Sequence, residues 1–287
     1  MMDRRQWLKL AAATAAASSL PLVGCATSAG LRSDPFALGV ASGSPRPDGV
    51  VLWTRLAPAS LPEGSALRGP MAVSWELADD ESFRRIVRRG RAAATPELAH
   101  SVHVEVDGLE PDRWYHYRFM AGGATSPIGR TRTLPAPGAT VTRLRIGQAS
   151  CQRWEFGYYA AYRHMLAEDP DFVLFLGDYI YEYAAPARVV RAMSLPEALT
   201  LADYRARYEL YKSDTDLQRM HAACPWLMVW DDHEIQNDYA GLQGEDLSAG
   251  FPERRAAAYQ AYYEHMPLRA SVPLRLLAGA SLSLIHI

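Results

Sequence analysis

The sequence predicts two structural units in series: an all-β unit of the sandwich type, then an α/β unit built on a parallel sheet. Three observations carry that reading. Between residues 36 and 134, short segments alternate apolar and polar residues in period two, with Gly and Pro clusters between them. A Pro- and Gly-rich stretch, Leu134-Pro135-Ala136-Pro137-Gly138-Ala139, then interrupts the chain. Beyond it come two apolar runs, residues 172–176 and 226–230, each ending abruptly in carboxylates. Short continuous apolar runs are the mark of strands buried on both faces, as in a parallel sheet flanked by helices.

Composition bounds the function. Of 287 residues, 49% are apolar and 22% charged, with a formal net charge of −2. Those are the proportions of a globular chain, and the absence of a basic excess argues against a nucleic-acid partner. Lys9 and Lys212 are the only lysines, so lysine-based catalysis has little material. Three cysteines in a chain of this size do not make a disulfide framework. Cys224, before Pro225 and an apolar run, reads as a small core residue.

Residues 1–33 read as a targeting segment. Arg4-Arg5-Gln6-Trp7-Leu8-Lys9 resembles a twin-arginine export signal, and an Ala-rich apolar stretch over residues 10–20 follows. That stretch is too short to span a bilayer. Leu22-Val23-Gly24-Cys25 resembles a lipoprotein cleavage box, with Cys25 as the lipid attachment site; a conventional cleavage site beside an incidental cysteine is the bland reading. The expected destination is the periplasm or cell surface, with a possible lipid anchor and the twin-arginine machinery as partner.

Residues 34–135 form the expected sandwich. Its strands are residues 50–55, 71–77, 101–106 and 114–119, separated by turn clusters at 42–45, 62–64 and 121–123. Leu109-Glu110-Pro111 ahead of Tyr115 and Tyr117 resembles the corner of fibronectin type III domains. Residues 136–140 are the linker. The α/β unit covers 141–275, with strands at 144–150, 172–176 and 227–230 and helices at about 158–168, 195–220 and 252–265.

Ligands gather where parallel strands end. The first strand ends in Ser150-Cys151-Gln152, the second in Gly177-Asp178-Tyr179-Ile180-Tyr181, and the third in Asp231-Asp232-His233-Glu234, with Asn237 just beyond. Alone, each reads as a cap or a solvated turn; together they read as a metal rim. Carboxylate, phenolate and thiolate form an anionic, strongly donating set. A tyrosine ionises at neutral pH only beside a strong Lewis acid, so ferric iron is the natural ion, with Cys151 as a thiolate ligand. Carboxylate oxygens suit calcium, magnesium or manganese.

These pieces, with Asp48-Gly49-Val50-Val51-Leu52-Trp53-Thr54-Arg55, resemble the PhoD-like alkaline phosphatases and phosphodiesterases of the metallophosphoesterase superfamily. The resemblance implies a metallophosphoesterase-like α/β catalytic domain behind an Ig/fibronectin III-like sandwich. It implies an exported, metal-dependent phosphoester hydrolase using Fe3+ and Ca2+, with Zn2+ or Mn2+ as the alternative pair. Cys151, Asp178 and Tyr181 would hold iron, Asp178 would also face calcium, and Asp232 or Asp231 would serve the second metal. His233 would stabilise charge or protonate the leaving oxygen. Asn237 is a further ligand, a phosphate donor or a helix cap; Gln152 and Arg153 are candidate phosphate contacts. Family members are longer, so the catalytic domain is expected to be truncated here, with later ligands missing. Residues 276–287 do not resemble the family and read as an artefact of frame or assembly. The competing expectation is a surface-anchored binding module with a non-catalytic α/β remnant.

Overall fold

The computed structural model describes residues 34–56 and 69–270. The twin-arginine segment, Cys25, the cluster at 62–64 and residues 276–287 lie outside them. The first unit contributes β1 (Val40–Arg46), β2 (Gly49–Arg55), β3 (Met71–Ala78), β4 (Ile86–Ala94), β5 (Ser101–Asp107), β6 (Trp114–Ala121), β7 (Ala124–Thr125) and β8 (Gly129–Arg132). The second contributes β9 (Ile146–Ala149), α1 (Ala160–Ala167), β10 (Phe172–Leu176), α2 (Leu201–Lys212), α3 (Thr215–Ala223), β11 (Trp226–Val229) and α4 (Phe251–His265).

Two sheets result, and they do not divide at the linker. One five-stranded antiparallel sheet holds β4, β3, β6, β7 and β8. The other has six strands in the order β5-β2-β1-β11-β10-β9, so strands from both sides of the linker share it. The join is made by β1, which pairs antiparallel with β2 and, at Gly43, parallel with Trp226 of β11. A Cβ on Gly43 would lie 2.7 Å from the Trp226 carbonyl oxygen and 2.7 Å from Pro267. Glycine is therefore what lets the two backbones approach. The Ser42-Gly43-Ser44-Pro45 cluster was expected to separate strands; it runs inside β1, and the turn chemistry it carries appears as a register irregularity between Gly43 and Arg46. The strand β4 was not legible as one, because Arg88, Arg89 and Arg91 expose an edge strand.

Each core follows from which faces these sheets cover. Val50, Leu52, Val102 and Val104 from the six-stranded sheet share one apolar cluster with Val73, Leu77, Tyr115, Tyr117 and Phe119 from the five-stranded one. The other face of β2 packs on α4: the Trp53 indole donates to the Glu264 carbonyl at 3.0 Å, so every residue of β2 is buried. In the second unit, Val173, Phe175 and Trp226 pack with tyrosines from α1, α2 and α4. Cys224 is buried there, and burial pushes its thiol up to about 12.

The expected helix over 195–220 is two helices. Thr200 and Asp203 form a reciprocal capping box that opens α2. The Asp214 carboxylate accepts from the Asp216 and Leu217 amides and opens α3. A strong N-cap at Asp214 makes a new helix start better satisfied than a continued one. The segment between β10 and α2 has no regular structure. The buried Arg207 guanidinium satisfies it by donating to the carbonyls of Tyr181, Glu182, Tyr183 and Pro196.

Candidate metal centre

The strands β9, β10 and β11 run parallel, in registers that pair Ala149 with Phe175 and Leu176 with Val229. Their carboxyl ends therefore reach one rim, and two sets of bonds hold those ends together. The Cys151 amide donates to the Gly177 carbonyl and the Gln152 amide to the Asp178 carbonyl, each at 3.1 Å. The third strand end is tied in by Glu234, which is wholly buried. Its carboxylate accepts from the amides of Asp178 (3.1 Å), Tyr179 (2.5 Å) and Asp231 (2.8 Å). Burial pushes the Glu234 carboxyl up to about 8, and the three amide bonds pull it the other way.

The backbone at the rim is unusual. Cys151 and Asp178 have φ of +53 and +56°, a region that side chains adopt at a cost. Gly177 has φ +95°, and a Cβ there would lie 2.6 Å from the Asp231 Cβ and amide nitrogen. Glycine thus lets β10 and β11 end side by side.

The turn at Gly177 points Asp178 inward. Asp178, Asp232 and His233 present one ligand atom each, all within 4.8 Å of one another. Asp178 is 7% exposed; its Oδ2 accepts from the Tyr181 hydroxyl at 2.8 Å. Its Oδ1 is buried with no hydrogen-bond partner among the described residues. An orphaned carboxylate oxygen costs several kcal/mol of desolvation unless a cation meets it. The site is thus built to take one.

The other expected ligands sit around this group. Burial first, then the hydrogen bond and charge of Asp178, raise the Tyr181 phenol well above its ordinary range; Cys151 adds to the shift. Cys151 thus lies beside the phenol, with its thiol exposed. Asp231 is outside the three-residue group. Burial and the Asp178 and Asp232 charges raise its carboxyl, while its amide serves Glu234. The Asn237 side chain donates to Asp238 at 3.2 Å and caps no helix. Gln152 is not free for phosphate: it donates to the Tyr179 carbonyl and accepts from the Tyr162 hydroxyl at 2.5 Å. As a buried polar side chain it was bound to spend its bonds inside.

Glu182 is the residue the expected ligand set lacks. It is wholly buried. One oxygen lies 2.8 Å from His233 Nδ1 and the other accepts from the Asn237 amide at 2.7 Å. Burial lowers the affinity of His233 for a proton. The Glu182 hydrogen bond and charge, with Asp178 and Asp232, outweigh it, so His233 holds its proton above its ordinary pKa. The signal for Glu182 and Glu234 was their place within the ligand motifs. What marks them out, a buried carboxylate aimed back at the motif, is a property of the folded chain.

Two family models match this chain: "PhoD-like phosphatase" over residues 146–280 and "PhoD-like phosphatase, N-terminal domain" over residues 23–135. The chain belongs to the PhoD-like phosphatase family. It is 55% identical over 247 residues to "Alkaline phosphatase D" of Bacillus subtilis (strain 168), covering 83% of this chain and 42% of that protein. It is 24% identical over 160 residues to "Purple acid phosphatase 23" of Arabidopsis thaliana, covering 52% of this chain and 34% of that protein. The solved "Structure of PhoD" superposes with a TM-score of 0.79 at 54% identity, covering 83% of this chain and 47% of that one. The chain therefore spans less than half the length of these relatives.

Proposed function

We propose that this chain takes part in metal-dependent hydrolysis of phosphoesters, as an alkaline phosphatase or phosphodiesterase. The observation that carries the reading is the Asp178–Asp232–His233 group, with its buried, unpartnered Asp178 oxygen. Family membership supports it. A binding module with a degenerate α/β part is not favoured, because degeneration would not preserve a clamped ligand group.

The donor set fits two cations. Cys151, Asp178 and Tyr181 would hold Fe3+, and Asp178 with Asp232 would face Ca2+; Asp231 lies outside the three-residue group, and Asn237 is a further candidate ligand. When bound, such ions polarise the phosphoryl oxygens and neutralise the charge that develops on them. The chain's own groups supply the rest. Glu182 fixes the His233 ring through Nδ1, which leaves Nε2 as the atom that gives a proton to the leaving oxygen. The raised affinity of His233 for that proton extends its use as an acid toward alkaline pH. Glu234 keeps the strand ends in register while this happens.

The test is to load the purified protein with iron and calcium, or with zinc or manganese, and follow hydrolysis of p-nitrophenyl phosphate and bis-p-nitrophenyl phosphate. Iron-dependent release lost in Asp178→Asn, with a visible phenolate charge-transfer band lost in Tyr181→Phe, supports the reading. A metal-loaded protein that hydrolyses neither ester and shows no band defeats it.

Two further parts of the reading concern the chain's organisation. The first unit is read as an Ig/fibronectin III-like sandwich. Two sheets sharing one core support this, as does the Glu110 amide donating to the Tyr115 hydroxyl at 3.0 Å, a tyrosine-corner bond. The N-terminal motifs support export by the twin-arginine route and lipidation at Cys25. Replacing Arg4 and Arg5 by Lys should keep the protein in the cytoplasm; unchanged export in cell fractions refutes that route.

A further inference from the structure

We propose that Arg153, held among Phe156, Tyr181 and Tyr183, is a subsite for a second anionic group of the substrate, so that this site favours phosphoesters carrying one. The proposal rests on the phosphoester reading above. Its starting point is an arginine with an unusual surround. The guanidinium carbon lies 4.7 Å from the Phe156 ring centre, 5.2 Å from that of Tyr181 and 5.8 Å from that of Tyr183. The side chain is 18% exposed. Stacking on rings orients a guanidinium and leaves its in-plane N–H fork open to an acceptor.

That fork is not taken up by the protein. The ion pair with Glu155 is a single Nε contact at 3.4 Å, near the limit of a hydrogen bond. The two terminal amino groups have no acceptor among the described residues. Neighbouring arginines differ. Arg207 donates to four carbonyls. Arg191 pairs with Asp214 at 2.8 Å, and Arg254 with Glu197 at 3.0 Å and the Tyr204 hydroxyl at 2.9 Å. Arg153 alone of these keeps a shielded, preoriented charge with free donors. Phosphate oxygens match such a fork in two parallel bonds.

Its position defines the class of ligand. The ring on which Arg153 packs is Tyr181, whose hydroxyl binds Asp178 and whose face lies against the His233 ring at 4.2 Å. The guanidinium is thus one aromatic ring removed from the metal-ligand group, placed for an anion neighbouring the scissile phosphoryl. Outward from it, Phe156 is 58% exposed, an apolar surface for whatever the second anionic group carries beyond it.

The experiment compares fructose 1,6-bisphosphate with fructose 6-phosphate by phosphate release from the iron- and calcium-loaded protein. Wild type should prefer the bisphosphate in kcat/KM, through KM. In Arg153→Gln, which keeps the stem on the rings, that preference should fall about tenfold; Arg153→Lys should fall part of the way, keeping the charge without the fork. A wild type with no preference, or an unchanged preference in a variant with native melting behaviour, overturns the subsite. If neither sugar phosphate is hydrolysed, the hydrolase reading fails separately, and calorimetric titration decides the subsite. Tighter binding of inorganic pyrophosphate than of inorganic phosphate, with the difference lost in Arg153→Gln, supports it; equal affinities in wild type overturn it.

Discussion

The six-stranded sheet has two halves that differ in direction and in use. In the β5-β2-β1 half the strands are antiparallel. Their side chains are spent on packing: Trp53 bonds the Glu264 carbonyl, and His103 stacks on Tyr263 with ring centres 4.3 Å apart. In the β11-β10-β9 half the strands are parallel, and every candidate ligand lies just past a carboxyl end. The difference follows from direction. Antiparallel neighbours alternate their ends, so no edge collects three chain turns. Parallel neighbours deliver all of theirs to one rim, where turns can be strained and side chains left unsatisfied for a ligand.

Four changes would break or sharpen that contrast. The largest effect is expected from Glu234→Ala, which orphans three amides in the parallel half. It should lower stability by about 3–5 kcal/mol in urea denaturation and weaken metal binding at the Asp178–Asp232–His233 group. A loss below about 1 kcal/mol would mean that the rim does not depend on this clamp. Next, Gly177→Ala forces a Cβ against Asp231 at a positive φ, and should cost about 2–4 kcal/mol by thermal melting. A native-like melt would show that β10 and β11 do not need the close approach.

Glu182→Gln should leave the fold intact and change the chemistry. Removing the charge beside His233 lowers the histidine's proton affinity, so the alkaline limb of the pH–rate profile should move to lower pH. The rate should fall on the order of tenfold. An unmoved limb would remove His233 from the role of acid.

The smallest effect belongs to the antiparallel half. His103 donates to the Tyr263 and Met266 carbonyls, and burial lowers its pKa to about 4. A histidine with a depressed folded pKa binds its proton more readily when unfolded. Stability should therefore fall as pH drops from about 6.5 to about 4, by roughly 1–2 kcal/mol because the ring is partly exposed. Denaturation midpoints of His103→Gln should show a flatter acid slope than wild type; equal slopes would place the acid sensitivity elsewhere.

The strands of the parallel half were legible because burial on both faces leaves an unbroken apolar run, as in Phe172–Leu176. Asp178, Asp232 and His233 were legible because polar ligands at the end of such a run need a reason to be there. Chain direction also made α4 readable, with Pro252 in its first turn. What failed to read were residues whose neighbours are distant in sequence. Ser42 to Pro45 carries turn chemistry, yet Trp226, far along the chain, recruits it into a strand. Gln152 sits among ligands, yet Tyr162 and Tyr179 hold its side chain inside.

The sequence by itself determined the two kinds of sheet, the order of the strand ends and the residue types offered at each, because periodicity and turn chemistry are local. The tertiary structure decided that one sheet crosses the linker, that Asp232 rather than Asp231 joins Asp178 and His233, and that Glu182 and Glu234 do the holding. Those outcomes depend on which backbone amides and rings meet across the fold. A buried carboxylate bonds whatever donors the packing brings within about 3 Å, and only the folded chain specifies them.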